Sequence, residues 1–124
     1  MGAQPVTVLT VDDQAVFRSA ARKLIAATPG FLQVGEAASG KQALKLAAEL
    51  RPDLVLVEAR MPGDGLEITR RLGEISPDSV LVLVSLEDLP SAAGSVGAAA
   101  HMRKEKLSTH ALQEIWEEHA PAAR

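Results

Sequence analysis

Residues 53–66 read Asp-Leu-Val-Leu-Val-Glu-Ala-Arg-Met-Pro-Gly-Asp-Gly-Leu and contain a strand, a turn and the start of a helix. Leu54 to Val57 are four apolar residues in a row, a short run typical of a strand buried on both faces. Glu58 stands where this strand is predicted to end, and the Pro and Gly residues that follow predict a turn. Apolar residues resume at helical spacing from Leu66. The pattern therefore places a carboxylate at the carboxyl end of a central parallel strand, where open α/β sheets bind ligands.

Short apolar runs and amphipathic helical stripes alternate along the rest of the chain. The predicted strands are Val6–Val11, Leu32–Ala37 (broken by Gly35), Leu54–Val57, Val80–Val84 and Ala98–Met102. The predicted helices are 14–27, 40–50 with Ser39 as N-cap, about 65–75, a short irregular segment from Pro90 to Gly97, and a last helix capped by Ser108. Strands that alternate with helices predict an α/β fold, in which a parallel sheet has helices on both faces.

Length and composition limit what the chain can be. Its 124 residues fit one domain spanning 1–124, and 47% hydrophobic residues are enough for a core, although only 2% are aromatic. The net charge of −3 and the absence of a basic stripe disfavour nucleic-acid binding by this domain alone. No cysteine is present for disulfide or thiolate chemistry. No apolar run is long enough for a membrane span and no signal peptide is visible, so we expect a cytoplasmic protein.

Polar side chains follow four of the five predicted strands. Asp12 and Asp13 come after the first, Glu58 ends the third, Ser85 ends the fourth and Lys104 follows the fifth. Because parallel strands place their carboxyl ends at one edge of the sheet, we expect these residues to lie close together. Carboxylate oxygens suit Mg²⁺, and an amine and a hydroxyl suit a phosphoryl group. The first turn has two acids and no glycine, which disfavours a dinucleotide site.

In combination, these motifs resemble the receiver domains of response regulators, the CheY-like family, over residues 6–119. The resemblance implies a flavodoxin-like (βα)5 doubly wound parallel sheet with strand order 2-1-3-4-5, and a function in two-component phosphorelay signal transduction rather than as an enzyme. It also implies that Asp12, Asp13 and the backbone carbonyl of Arg60 bind Mg²⁺. Ser85 and Lys104 correspond to the residues that contact the phosphoryl group.

His101 stands where similar receivers often carry an aromatic switch residue, and the alternative is a strand-edge histidine with no special role. The expected partners are a sensor histidine kinase or another signalling protein. A homodimer could form through the face built from the segment after Pro90, the fifth strand and the last helix. The chain is expected to be either a stand-alone receiver or one cut from a longer regulator.

Two positions depart from the receiver pattern. The acceptor position holds Glu58 rather than Asp, and the loop between Pro62 and Asp64 is one residue short. Three outcomes are open: a receiver held near an active-like state by Glu58 as a partial phosphoryl mimic, a degenerate receiver that only docks, or phosphorylation of Glu58 itself. Because Glu58 crowds the acidic pair, Mg²⁺ binding is expected to be weak or absent.

Two alternatives come from other classes of site. Asp53 precedes the third strand and should lie at the opposite edge of the sheet, so it is rejected as the acceptor. Asp64 is closer to Glu58 but fits the turn before the next helix. The alternative function is a small flavodoxin-like metal- or ligand-binding domain or enzyme that uses the acidic edge, although no nucleophile–base pair is visible.

Overall fold

In the computed structural model the chain forms a five-stranded parallel sheet, described over residues 4–62, 65–87 and 96–121. The strands are β1 (Val6–Val11), β2 (Phe31–Ala37), β3 (Leu54–Glu58), β4 (Val80–Ser85) and β5 (Ala100–Arg103). The α-helices within these residues are α1 (Ala15–Ala27), α2 (Gly40–Leu50), α3 (Gly65–Ile75) and α4 (Thr109–His119). The strand order is β2-β1-β3-β4-β5, which confirms the predicted flavodoxin-like sheet.

The sheet separates two apolar layers. Helices α2 and α3 cover one face, where their buried residues pack against Val55 and Val57 of β3. Helices α1 and α4 cover the other face, against Leu54 and Leu56 of the same strand. Successive residues of β3 therefore enter opposite layers, and both layers are buried. This explains why the strand is apolar at four consecutive positions rather than at alternate ones.

Strand β2 is continuous, so the predicted break at Gly35 was wrong. The strand instead accommodates the glycine by a shift in register: Val8 of β1 pairs with Gln33 and Leu9 pairs with Gly35. A Cβ atom at Gly35 would lie 3.0 Å from Cδ1 of Leu50, a contact tighter than side chains normally make. The glycine thus lets α2 pack close to the edge strand without ending it.

Small differences in strand length matter for the site. Glu58 and Ser85 are the last paired residues of β3 and β4, aligned with Val84 and Arg103 respectively, rather than the first residues of loops. Strand β5 begins two residues later than predicted, because Gly97 still lies in a turn with a φ of 85°. The helix predicted from Pro90 lies outside the described residues up to position 95, as do Gly63 and Asp64.

Helix α3 begins in contact with the end of β3. A Cβ atom at Gly65 would collide with the backbone carbonyl of Ala59, so only glycine allows this approach. A Cβ atom at Gly40 would likewise collide with the side chain of Ile68, which brings α2 close to α3. The first turn of α3 is thereby fixed next to the carboxyl end of β3.

Asp53 connects two strands at the opposite edge of the sheet. Its Oδ2 accepts hydrogen bonds from the backbone N–H of Thr7 at 2.8 Å and from the Thr7 hydroxyl at 3.0 Å. The backbone N–H of Asp53 donates in return to the Thr7 hydroxyl at 2.9 Å. This reciprocal link joins β1 and β3 at their amino ends, and the rejection of Asp53 as a site residue agrees with its position.

Candidate functional site

Asp12 lies at the carboxyl end of β1, where backbone contacts fix its side chain. Its backbone N–H donates to the carbonyl of Ala37 at 3.0 Å, and Oδ1 accepts from the N–H of Gln14 at 2.8 Å. Nη1 of Arg18 donates to the Asp12 carbonyl at 2.7 Å. The residue is fully buried, and Oδ2 points to the amine of Lys104. A turn closed by an aspartate side chain thus aims one carboxylate oxygen into the sheet edge.

Glu58 presents its carboxylate to the same place from the neighbouring strand. Oε1 accepts a hydrogen bond from the backbone N–H of Arg60 at 2.9 Å, and Oε2 lies 2.5 Å from Nζ of Lys104. Only 6% of the residue is exposed. Both carboxylate oxygens of Glu58 therefore have a donor.

Lys104 is the first residue of a 3₁₀ turn, Lys104–Lys106, that directly follows β5. Its Nζ lies 2.7 Å from Oδ2 of Asp12 as well as 2.5 Å from Glu58, and 4.4 Å from the ring centre of Phe17 on α1. The residue is 9% exposed. Two carboxylates and one ammonium thus form a buried group with a net charge of −1.

The charged state of this group follows from its surroundings. Burial raises the pKa of the Asp12 carboxyl, and the contact with the Lys104 ammonium opposes that shift without cancelling it. Burial acts to lower the pKa of Lys104, but the contacts with Asp12 and Glu58 outweigh burial, so this pKa lies above its usual value. The ammonium is therefore charged throughout the neutral pH range.

Three further predicted residues, Asp13, Arg60 and Ser85, line a shallow cleft next to this group. The cleft has a volume of about 200 Å³ and is lined by Asp13, Gln14, Glu58, Arg60, Ser85, Leu86 and Glu87. Ser85 is fully buried, and its hydroxyl accepts from the N–H of Glu87 at 3.3 Å. Asp13 is exposed at the rim. An ion pair of 3.8 Å between Arg60 and Glu87 crosses from the end of β3 to the end of β4.

The structure brings together six of the seven predicted residues, Arg60 among them as part of the cleft lining, but not His101. Asp12, Glu58 and Lys104 are in direct contact, and Asp13 and Ser85 line the adjoining cleft. His101 lies inside β5, two residues before its end, and is exposed. Its part as a switch residue stays a prediction.

Sequence reasoning missed Phe17, whose ring faces the Lys104 ammonium. An apolar residue at this position is already accounted for by the apolar stripe of the first helix. The contact joins α1 to the turn after β5, far apart along the chain, so the sequence carries no local signal for it.

The side chains present do not fit Mg²⁺ in this arrangement. The hard oxygens are of the right kind. However, both oxygens of Asp12 and both of Glu58 already contact a backbone N–H or the Lys104 ammonium. In the part of the chain that the structure describes, no three acidic or histidine residues are grouped so as to hold a metal ion.

Comparison with known proteins gives consistent matches. A family described as "Response regulator receiver domain" matches residues 8–115. The response regulator GacA of Pseudomonas aeruginosa is 40% identical over 103 residues, which cover 80% of this chain and 48% of GacA. The nitrate/nitrite response regulator NarL of Escherichia coli K12 is 38% identical over 86 residues, covering 68% of this chain and 40% of NarL. The chain thus spans less than half the length of these two regulators.

Solved structures share the fold. The signal receiver domain of the putative response regulator NarL from Mycobacterium tuberculosis superposes with a TM-score of 0.83 at 28% identity, covering 93% of this chain and 96% of that one. The response regulator domain of Thermotoga maritima CheB gives a TM-score of 0.80 at 24% identity, covering 95% and 100%. No helix among the described residues is long and apolar enough to cross a membrane.

Proposed function

The chain belongs to the family of response-regulator receiver domains, and we propose that it is a receiver that works without being phosphorylated. One observation carries this proposal. The residue at the acceptor position is Glu58, and each of its carboxylate oxygens is already engaged, one by the N–H of Arg60 and one by Lys104. Each donor occupies one of the two lone-pair sites of its oxygen, and the contact of Oε2 with Lys104 takes the place of the contact that a transferring phosphoryl group would make with this ammonium.

The length of the side chain adds to this effect. Glu carries one methylene more than Asp, which displaces the carboxylate by roughly 1 Å, and a misplacement of about that size can slow a transfer reaction on the order of a hundredfold. The charge of the site acts in the same direction. Asp12, Asp13 and Glu58 outnumber the Lys104 ammonium, so an anionic phosphodonor approaches a negative edge.

Glu58 also makes a contact that a phosphoryl oxygen would make, because its Oε2 pairs with Lys104. Glu58 therefore acts as a partial mimic of a phosphoryl group and holds this edge of the sheet near the active-like state. The mimic carries one negative charge, whereas a phosphoryl group carries nearly two and offers more acceptor oxygens. We infer that the domain transmits a signal by binding a partner protein rather than through a phosphorylation cycle.

The proposed partners are signalling proteins. Receiver domains interact with histidine kinases and other signalling proteins, and for this chain we propose a signalling protein that reads the surface of β5 and α4. If the partner is a second copy of this chain, the two copies form a homodimer through the same face. The net charge of −3 supports a protein partner over nucleic acid for this domain.

Mg²⁺ binding is proposed to be weak. Asp13 is the acid whose exposed carboxylate faces the cleft, while Asp12 is buried against Lys104. An ion held by one exposed carboxylate and its own waters binds loosely.

The alternative of a small enzyme is not favoured. The cleft of about 200 Å³ is small for a substrate pocket, and its lining residues contain no nucleophile hydrogen-bonded to a general base. Receiver domains are generally non-enzymatic signalling domains, and we propose that this chain is one as well.

Intact-mass measurement after incubation with acetyl phosphate and Mg²⁺ tests the proposal. The wild-type protein is expected to keep its mass, and Glu58→Asp is expected to gain one phosphoryl group on part of the sample, since removing one methylene restores the reach of the acceptor. Glu58→Gln is the matched control, because it has the length of Glu and no carboxylate.

A phosphorylated wild-type protein, with a mass that returns to its starting value after base treatment, would refute the proposal. If Glu58→Asp is as inert as the wild-type protein, the acceptor is not what disables the site. The short loop around Pro62 would then be the next feature to change.

A further inference from the structure

The Lys104 ammonium is enclosed by three groups from three different elements. Asp12 approaches it from the end of β1, Glu58 from the end of β3, and the ring of Phe17 from α1, at 2.7, 2.5 and 4.4 Å respectively. The lysine side chain itself arrives from the 3₁₀ turn after β5 and is almost completely buried. The carboxylates on one side and the aromatic face on another stabilise the ammonium in this position.

Any divalent ion that binds Asp12 and Glu58 must share their carboxylate oxygens with existing partners or displace those partners. Oδ1 of Asp12 and Oε1 of Glu58 accept backbone N–H groups, which are fixed by the turns that follow β1 and β3. Oδ2 and Oε2 are the two oxygens that converge, and the ammonium is in contact with both. The position that is geometrically best for a cation is therefore filled by the chain itself.

We propose that Lys104 is the resident cation of this edge, in place of a metal ion, and that Phe17 is the positioning residue that keeps the ammonium there. This inference rests on the proposed function, because a receiver that is not phosphorylated has no need of a metal to assist phosphoryl transfer. It adds a cause for weak metal binding that is separate from the length of Glu58. Phe17 contributes through its ring face and carries no charge.

The side chain of Phe17 offers a test that leaves every charge in place. Phe17→Leu removes the ring face but keeps an apolar residue on α1, and Phe31→Leu is the matched control, since Phe31 is the other phenylalanine and lines a different cleft. Mg²⁺ affinity is measured by NMR titration of the backbone amides of the turn after β1. We expect Phe17→Leu to bind Mg²⁺ roughly three- to tenfold more tightly than the wild-type protein, and Phe31→Leu to match the wild type.

A second readout follows the ammonium directly. In the wild-type protein the ¹⁵N signal of the Lys104 amine should be visible at neutral pH, because enclosure slows proton exchange with water, and millimolar Mg²⁺ should leave it unchanged. In Phe17→Leu the signal should broaden, and added Mg²⁺ should shift it. A residue that served only the packing of α1 would change stability without changing this signal.

A charge-removing pair gives an independent measurement. Lys104→Met should show a melting temperature that rises on addition of Mg²⁺, as the metal takes the vacated place, whereas Lys106→Met, which removes the same charge from the same turn, should show no rise. If Lys104→Met does not fold, the Phe17 measurements still decide the matter.

Equal Mg²⁺ affinity in the wild-type protein and Phe17→Leu would overturn the role of Phe17. Displacement of the Lys104 signal by low concentrations of Mg²⁺ in the wild-type protein would overturn the resident-cation proposal as a whole. Neither result concerns phosphoryl acceptance, which the mass measurement on Glu58→Asp decides separately.

Discussion

Replacing Asp53 with Ala is expected to destabilise the fold while leaving the candidate site intact. The Asp53 carboxylate accepts two hydrogen bonds from Thr7, at 2.8 and 3.0 Å. Hydrogen bonds to a charged group contribute about 1.5–3 kcal/mol each when buried, and this pair is only partly buried. The variant also leaves the N–H of Thr7 without that acceptor. We expect the free energy of unfolding to fall by about 2 kcal/mol.

The expected change in melting temperature follows from the size of the chain. Unfolding entropy near the midpoint is about 2.1 cal/mol/K per residue, which for 124 residues gives roughly 0.26 kcal/mol/K. A loss of about 2 kcal/mol therefore lowers the melting temperature by roughly 8 °C. Circular dichroism and urea denaturation measure both quantities.

Asp78→Ala, which removes an exposed acid from the turn before β4, is the control for the loss of one charge. Thr7→Val should lose part of the same energy, and the double variant should cost less than the sum of the two single variants, because they share contacts. The combination of Asp53→Ala with Glu58→Asp should still be phosphorylated. Equal melting temperatures of Asp53→Ala and Asp78→Ala, or loss of that phosphorylation in the combined variant, would refute the structural role of Asp53.

Two further predictions concern other parts of the fold. Gly65→Ala should destabilise the protein by about 1–3 kcal/mol, since its Cβ would collide with the Ala59 carbonyl. Gly73→Ala in the same helix should instead stabilise the protein by up to about 1 kcal/mol, because a Cβ there meets Cδ1 of Leu81 at an ordinary 3.7 Å. Urea midpoints of the two variants that move in the same direction would contradict this pair of predictions. Hydrogen bonding to Arg22 lowers the pKa of Glu36 in the folded protein, so the stability from this carboxylate is present above its ordinary pKa and is lost as the pH falls through the lower, folded-state pKa. Glu36→Gln should therefore lose less stability on acidification between about pH 6 and pH 3, and an acid limb as steep as that of the wild-type protein would count against the assignment.

The sheet was predictable because its strands are buried on both faces. A run such as Leu54 to Val57 contains no polar residue, which distinguishes it from an exposed strand or an amphipathic helix. The first residues of α2 and α3 follow from the cap at Ser39 and from Gly65. The order of the strands came from the family resemblance, since periodicity states that strands exist and not which of them are neighbours. Gly35 shows the limit on local detail: a glycine inside a strand predicts either a break or a bulge, and only the packing of Leu50 distinguishes them.

The site was predictable as a set of residues and not as a set of contacts. The rule that parallel strands end at one edge brought Asp12, Glu58 and Lys104 together. It could not say that one ammonium would contact both carboxylates, because that depends on the reach of side chains from three separate elements. The part played by Phe17 was hidden for the same reason: its place in an apolar stripe already explained it, and its contact with Lys104 exists only in three dimensions.

The buried group of Asp12, Glu58 and Lys104 bears on how such a chain can change in evolution. Removing Lys104 leaves two buried carboxylates without their counterion, and breaking a buried pair in this way typically costs about 3–5 kcal/mol, whereas replacing all the charges together by apolar residues is often neutral. Removing Asp12 or Glu58 instead leaves the ammonium paired with the other carboxylate. Lys104 is then retained by the presence of the two carboxylates, even if phosphoryl transfer has been lost. In a chain of this kind, a buried lysine at this position records its pairing with Asp12 and Glu58, and does not by itself show that a phosphorylation reaction is still under selection.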